Sequence, residues 1–134
     1  MDSKKNLVLL GMMASGKSTV GALVSKKLGL MFYDIDKMIE EEMHMTIAEI
    51  FDQKSEKKFR SLEEKIVLKT LQNKNSIVSL GGGAFFNEKI RKEIIMNHIS
   101  FWLNCSNKTL LNRIRKNKKH KSYNYYKTNN RFND

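Results

Sequence analysis

The sequence predicts an α/β protein of three layers, α/β/α, with a parallel sheet in the middle. Two observations carry this. Short apolar runs of strand length alternate with longer stretches whose apolar residues recur at helical spacing. The first run, within Asn6–Leu10, is continuously apolar rather than alternating, as expected of a strand covered on both faces of a parallel sheet. Parallel neighbours then require right-handed crossovers through the intervening helices. No internal repeat is visible.

Taken in order, Asn6–Leu10 is a strand closed by Gly11. Lys17–Leu28 reads as a helix with Val20, Leu23, Val24 and Leu28 on one face and Gly29 past its end. Leu30–Tyr33 is a second strand. Ile35–Met43 is helical, with Ile35, Met38 and Ile39 turned inward and Glu40, Glu41 and Glu42 solvated. Thr46–Phe51 adds one or two helical turns. Glu56–Gln72 is a longer helix with Phe59, Leu62, Ile66 and Val67 in register, and Ser76–Leu80 is a third strand ended by glycines. Glu88–Met96 is a helix, Ile99–Leu103 a fourth strand, and Asn107–Arg115 a helix capped by Ser106.

With 134 residues the chain is about one domain, long enough to bury a core. Its composition, 40% hydrophobic and 29% charged, is that of a globular chain rather than a disordered or membrane-embedded one. The apolar stretch Leu7–Met13 is too short to span a bilayer and runs into a motif instead of a cleavage site. A single cysteine, Cys105, excludes a disulfide framework, and His44, His98 and His120 lack metal-ligand spacing. A cytoplasmic protein with no membrane partner is expected.

The net charge of +11 raises nucleic acid as a partner, but the excess is uneven. Residues 116–134 hold six basic residues (Lys116, Lys118, Lys119, Lys121, Lys127, Arg131) against one acid, Asp134. A basic body also suits an enzyme whose ligands are anions, and basic tails are usually just solvated.

The strongest chemical signal is Gly11-Met12-Met13-Ala14-Ser15-Gly16-Lys17-Ser18-Thr19, which matches G-x-x-x-x-G-K-[ST] with a strand before it and a helix after it. Small residues let successive backbone N–H groups turn inward around phosphate oxygens, and the helix N-terminus adds the positive end of its dipole. Lys17 is then placed to reach the β- and γ-phosphates of a nucleoside triphosphate, and the Ser18 hydroxyl to ligate Mg²⁺. An ordinary Gly-rich turn is the plain alternative, disfavoured by the flanking elements.

Phe32-Tyr33-Asp34-Ile35-Asp36 follows at the end of the second strand. In an extended chain residues two apart share a side, so both carboxylates are expected to face the carboxyl edge of the sheet, where ligands of open α/β folds bind. One carboxylate suits Mg²⁺ and the other a hydroxyl proton; helix capping is the plain alternative for either. Arg60 suits a bidentate grip on a carboxylate, or a surface ion pair with Glu56 or Glu64 at four-residue spacing. Gly81-Gly82-Gly83 after the third strand suits close approach of backbone to a ligand, or a plain flexible turn.

Together these residues resemble the shikimate kinase family, small relatives of the nucleoside monophosphate kinases. The resemblance rests on the GMMASGKST loop, F-Y-D-I-D, I-A-E-I-F (Ile47–Phe51), F-R with a following Glu (Phe59, Arg60, Glu63) and S-L-G-G-G-A (Ser79–Ala84), in family order across residues 5–115. It implies a P-loop NTPase fold of the nucleoside monophosphate kinase type, a monomer, and transfer of the γ-phosphoryl of ATP to the 3-hydroxyl of shikimate in aromatic amino-acid biosynthesis. Carried over by position, Ala14, Ser15, Gly16, Lys17, Ser18 and Thr19 would bind the ATP phosphates, Arg113 would pack on the adenine, and Ser18 and Asp34 would hold Mg²⁺. Asp36 would hold the shikimate hydroxyls and act as base, with Lys17 as the other catalytic residue. Arg60 would pair with the shikimate carboxylate, and Gly81, Gly82 and Gly83 would line the substrate.

The resemblance weakens after about residue 115. His120 and Lys121 fall where the family carries the Arg-Pro pair of its lid, and Lys116–Asp134 contains no Leu, Ile, Val, Met or Ala. The expectation is therefore an incomplete kinase domain over 1–115 and a disordered Asn/Lys/Tyr-rich tail over 116–134. The fifth strand, closing helix and second substrate arginine would be missing. A natural short variant and a slipped reading frame both account for this, and the abrupt loss of apolar periodicity after Ile114 favours the second. The function classes left open are an active shikimate kinase, an inactive or binding-only remnant, a related kinase acting on gluconate or a nucleoside monophosphate, and, last, a nucleic-acid-binding module.

Overall fold

A computed structural model describes residues 5–11 and 16–103 together with the two positions 108 and 112. In chain order the elements are β1 (Leu7–Leu10), α1 (Lys17–Leu28), β2 (Met31–Asp34), α2 (Ile35–Met43), α3 (Ile47–Gln53), α4 (Glu56–Thr70), β3 (Ser76–Ser79), α5 (Glu88–Asn97) and β4 (Ile99–Trp102). A 3-10 turn over Ala84–Phe86, not anticipated from the sequence, joins the glycines after β3 to α5. The elements expected up to residue 103 are all present, with ends displaced by one or two residues; α4, for example, stops at Thr70 rather than Gln72. Lys108 and Asn112 have helical backbone. The rest of the Asn107–Arg115 expectation, its Ser106 cap, Cys105, His120 and the 116–134 segment lie outside the described residues.

The four strands form one parallel sheet in the order β2-β3-β1-β4. In register, Leu7 pairs with Ile77 and Ile99, and Phe32 with Ile77. These side chains therefore share one face, and Val8, Leu10 and Val78 share the other. On the second face Val8, Leu10, Val78 and Leu80 join Ile35, Ile39, Ile50, Phe59, Ile66, Val67, Ile90 and Ile94 in one core, beneath α2 to α5. Each fully buried Val, Leu, Ile or Phe contributes about 1.5–3 kcal/mol. The connections from β1 and β3 leave in opposite directions, which opens a crevice beyond their carboxyl ends.

On the first face α1 packs across β1, β2 and β3, but not as its apolar pattern suggested. Lys17, Gly21 and Ser25 are its buried residues, Val20 and Val24 are half-buried, and Leu23 and Leu28 are 61% and 57% exposed. The reason is the Phe32 ring, which lies where a Cβ on residue 21 would be, so the helix settles on its glycine.

Asn6 fastens the opposite end of the sheet. Its Nδ2 donates to the Leu71 and Asn73 carbonyls, and its Oδ1 accepts from the Ser76 N–H and hydroxyl. Its own N–H donates to His98 Nδ1, and His98 Nε2 meets Glu93 at 3.2 Å. His98 is thus a satisfied structural histidine.

Candidate functional site

Five segments meet at the carboxyl edge of the sheet: the start of α1, the β2–α2 junction, the inner face of α4, and the residues after β1 and β3. Gly16 takes a left-handed conformation, φ 97°, and turns the chain into α1. Lys17 opens the helix and is 9% exposed. Its Nζ donates to the Gly11 carbonyl at 2.6 Å. Burial holds the amine below its usual value, opposed by the charges of Asp36 and Asp34. Ser18 Oγ donates to Asp34 Oδ2 at 2.8 Å, and Thr19 is exposed on the same first turn. Ala14, Ser15 and Arg113 lie outside the described residues.

The two aspartates approach by a route other than the strand alternation expected for them. β2 ends at Asp34, and Asp36 is already in the first turn of α2. The strand-to-helix turn, not a shared strand face, sets both carboxylates against Lys17. Asp34 serves capping and the site at once, since its Oδ1 accepts from the Lys37 N–H while Oδ2 faces Ser18.

Arg60 pairs through Nη1 with Glu63 Oε1 at 2.8 Å, and its Nε lies 3.9 Å from Glu56. Glu64, offered by the sequence as a partner, is taken instead by Asn87 and Lys89. The guanidinium sits over the Phe59 ring at 5.2 Å and reaches the loop after β3. A Cβ at Gly83 would lie 2.5 Å from Arg60 Nη2, and one at Gly81 would lie 2.7 Å from Asp36 Oδ1 and 3.3 Å from Glu63 Oε2. Two of the three glycines are thus needed for close approach to these side chains. Gly82 between them is exposed in the turn.

Glu63 entered the sequence reading only as the acid that follows the F-R motif, with no role in the site. It is 1% exposed, and Oε2 has no hydrogen-bond partner among the described residues. Desolvation raises its pKa above the usual glutamate value, with the Arg60 charge and hydrogen bond opposing and Asp36 adding to the rise. The signal was available: Glu63 falls four residues after Phe59 and three before Ile66, on the helix face that those residues bury.

Chemically the arrangement offers a buried ammonium and a helix N-terminus for an anion, a hydroxyl–carboxylate pair of hard oxygens, a second carboxylate placed for proton transfer, and a guanidinium for a carboxylate. Among the described residues no group of three or more His, Cys, Asp or Glu could hold a metal by itself, and no helix is long and apolar enough to cross a membrane.

Comparison with known proteins agrees with this geometry. The shikimate kinase family model matches residues 13–132. The shikimate kinase of Bartonella henselae is 43% identical over 110 residues, which are 82% of this chain and 52% of that protein. The Bacillus licheniformis enzyme is 51% identical over 92 residues, 68% of this chain and 52% of its own. The structure of shikimate kinase from Acinetobacter baumannii in complex with shikimate superposes with a TM-score of 0.83 at 29% identity, covering 89% of this chain and 66% of that one. The chain spans about half the length of these curated relatives. On the motifs, the sheet order and these matches, the chain belongs to the shikimate kinase family.

Proposed function

We propose that this chain carries the phosphoryl-transfer site of a shikimate kinase and moves the γ-phosphoryl of ATP to the 3-hydroxyl of shikimate. The observation that carries this reading is the meeting of two half-sites at one sheet edge. Lys17, Ser18 and Asp34 form the anion side, and Asp36, Arg60 and the Gly81–Gly83 loop form the side for a carboxylated polyol.

In this reading the helix N-terminus and Lys17, with Gly16, Thr19, Ala14 and Ser15, hold the ATP phosphates, and Arg113 packs on the adenine. Lys17 leaves the Gly11 carbonyl to reach the transferring group and offsets charge on its equatorial oxygens. Ser18 Oγ and Asp34 Oδ2 are hard donors that fit Mg²⁺, which when bound neutralises phosphate charge. Arg60 and the Gly81–Gly83 backbone fix the substrate, its carboxylate on the guanidinium and its ring against the loop. Asp36 accepts the proton of the attacking 3-hydroxyl, and positioning supplies most of the remaining acceleration.

The test is a coupled ADP-release assay on this chain with ATP and Mg²⁺, with and without shikimate, and with Lys17→Ala as control. Shikimate-dependent turnover lost in the variant is the expected result. Folded protein with no turnover would make it a binding-only remnant, and turnover with gluconate or a nucleoside monophosphate in place of shikimate would reassign the substrate.

A further inference from the structure

The Arg60–Glu63 pair lies at the centre of an unusual charge arrangement. Glu63 is buried at 1% exposure while its partner Arg60 is half-buried and opens toward the glycine loop. Among the described residues only one carboxyl oxygen of Glu63 is satisfied. Oε1 accepts from Arg60, whereas Oε2 lies 3.3 Å from the point where a Cβ on Gly81 would sit, a point 2.7 Å from Asp36 Oδ1. A buried carboxylate oxygen without a donor is costly, and a second carboxylate nearby raises the cost. A proton on Oε2 removes both penalties and leaves Oε1 able to accept from Arg60. The charged groups that face Glu63 among the described residues are Arg60 from its own helix, with Glu56 beyond it at 3.9 Å, and Asp36 from α2, itself beside Lys17.

We propose that Glu63 is a positioning residue whose buried carboxyl takes up a proton from solvent when an anionic group binds Arg60, so that substrate capture and proton uptake are one event. The inference rests on the reading above, in which a substrate carboxylate docks on Arg60. The guanidinium charge and hydrogen bond oppose protonation of Glu63. A carboxylate arriving on that guanidinium claims the charge and adds a negative one, and both effects favour the neutral acid. The reverse also holds by linkage: an ionised Glu63 neutralises Arg60 and weakens its hold on the substrate. Burial already moves Glu63 toward the protonated form before any ligand arrives.

Two measurements test this. The first is calorimetric titration of the full chain with shikimate between pH 6 and 9, in two buffers of different ionisation enthalpy, for the wild type and Glu63→Gln. Gln keeps an oxygen for Arg60 and places a neutral group at Oε2. The expected wild-type result is a buffer-dependent enthalpy that reports proton uptake, with affinity falling by up to about tenfold per pH unit, the limit for one linked proton. In Glu63→Gln both dependences disappear. Wild-type binding that is flat in pH and buffer, or a dependence that Glu63→Gln retains, overturns the inference and leaves the substrate reading intact. The absence of shikimate binding at every pH overturns the substrate reading itself.

The second measurement needs no ligand and no variant fold. The ¹³C shift of the Glu63 side-chain carboxyl, followed against pH in the free wild type, is expected to titrate above the other glutamates; titration among them overturns the inference even where shikimate binds.

Discussion

Ser18 Oγ donates a 2.8 Å hydrogen bond to Asp34 Oδ2, tying the first turn of α1 to the end of β2. The same carboxylate caps α2 through its other oxygen. One side chain therefore links α1, the sheet and the helix that carries Asp36.

Replacing Asp34 separates these tasks. Asp34→Asn keeps a capping oxygen but loses the charge opposite Ser18, so the fold stays near wild type while the Mg²⁺ concentration for half-maximal turnover rises. Asp34→Ala also loses the cap, at about 1 kcal/mol. Urea unfolding alongside a Mg²⁺ titration of ADP release separates the two.

Lys17→Ala removes the buried cation between Asp34 and Asp36. Loss of one pre-set donor to a developing charge lowers turnover by on the order of 10²–10³-fold. The wild type is expected to melt higher with ADP and Mg²⁺, by about 2.7 kcal/mol of added stability at a hundredfold excess over Kd. The variant should lose most of that rise, which thermal melts with and without ligand will show.

Gly83→Ala and Gly21→Ala are the same chemical change with opposite consequences. At residue 83 the new methyl meets the tip of Arg60, which can swing away. The main effect is on binding, with KM for shikimate rising more than kcat falls, and stability drops only as far as the Arg60–Glu63 pair is loosened. At residue 21 the methyl enters the Phe32 ring beneath α1, an overpacking that costs about 1–3 kcal/mol. Denaturation midpoints and steady-state kinetics on both variants distinguish the outcomes.

Glu63 makes the fold sensitive to pH in a defined direction. Its folded pKa is raised, with burial the main cause. Between the unfolded and folded values the native state holds more protons, so stability falls as pH rises through that window. Below the unfolded value the group contributes no slope. Melting temperature should therefore drop less through that window for Glu63→Gln than for the wild type.

Asn6→Ala leaves the Leu71 and Asn73 carbonyls and the Ser76 N–H and hydroxyl without their partner at the base of the sheet. Buried groups stranded in this way cost about 1–3 kcal/mol each before relaxation. A loss of several kcal/mol in urea unfolding is expected, far from the site and without a selective change in KM.

Local pattern alone determined the alternation of strands and helices, the glycine-rich turn into α1, and the clustering of Asp34, Asp36 and the glycines at strand ends. Each depends on residues close in sequence, where periodicity and turn chemistry act directly. Long-range packing decided the rest. Arg60 had three glutamates within reach on its own helix, and the choice of Glu63 over Glu64 was made by Asn87 and Lys89 drawing Glu64 away. The buried face of α1 was decided by Phe32 across the layer, against the helix's own apolar stripe. Asn6, at the start of an apolar run, acquired its role from Leu71, Asn73 and Ser76 far along the chain. The buried, half-satisfied carboxyl of Glu63 exists only because α4, the glycine loop and α2 converge there. A sequence states which side chains could meet, and the free energy of burial selects which of them do.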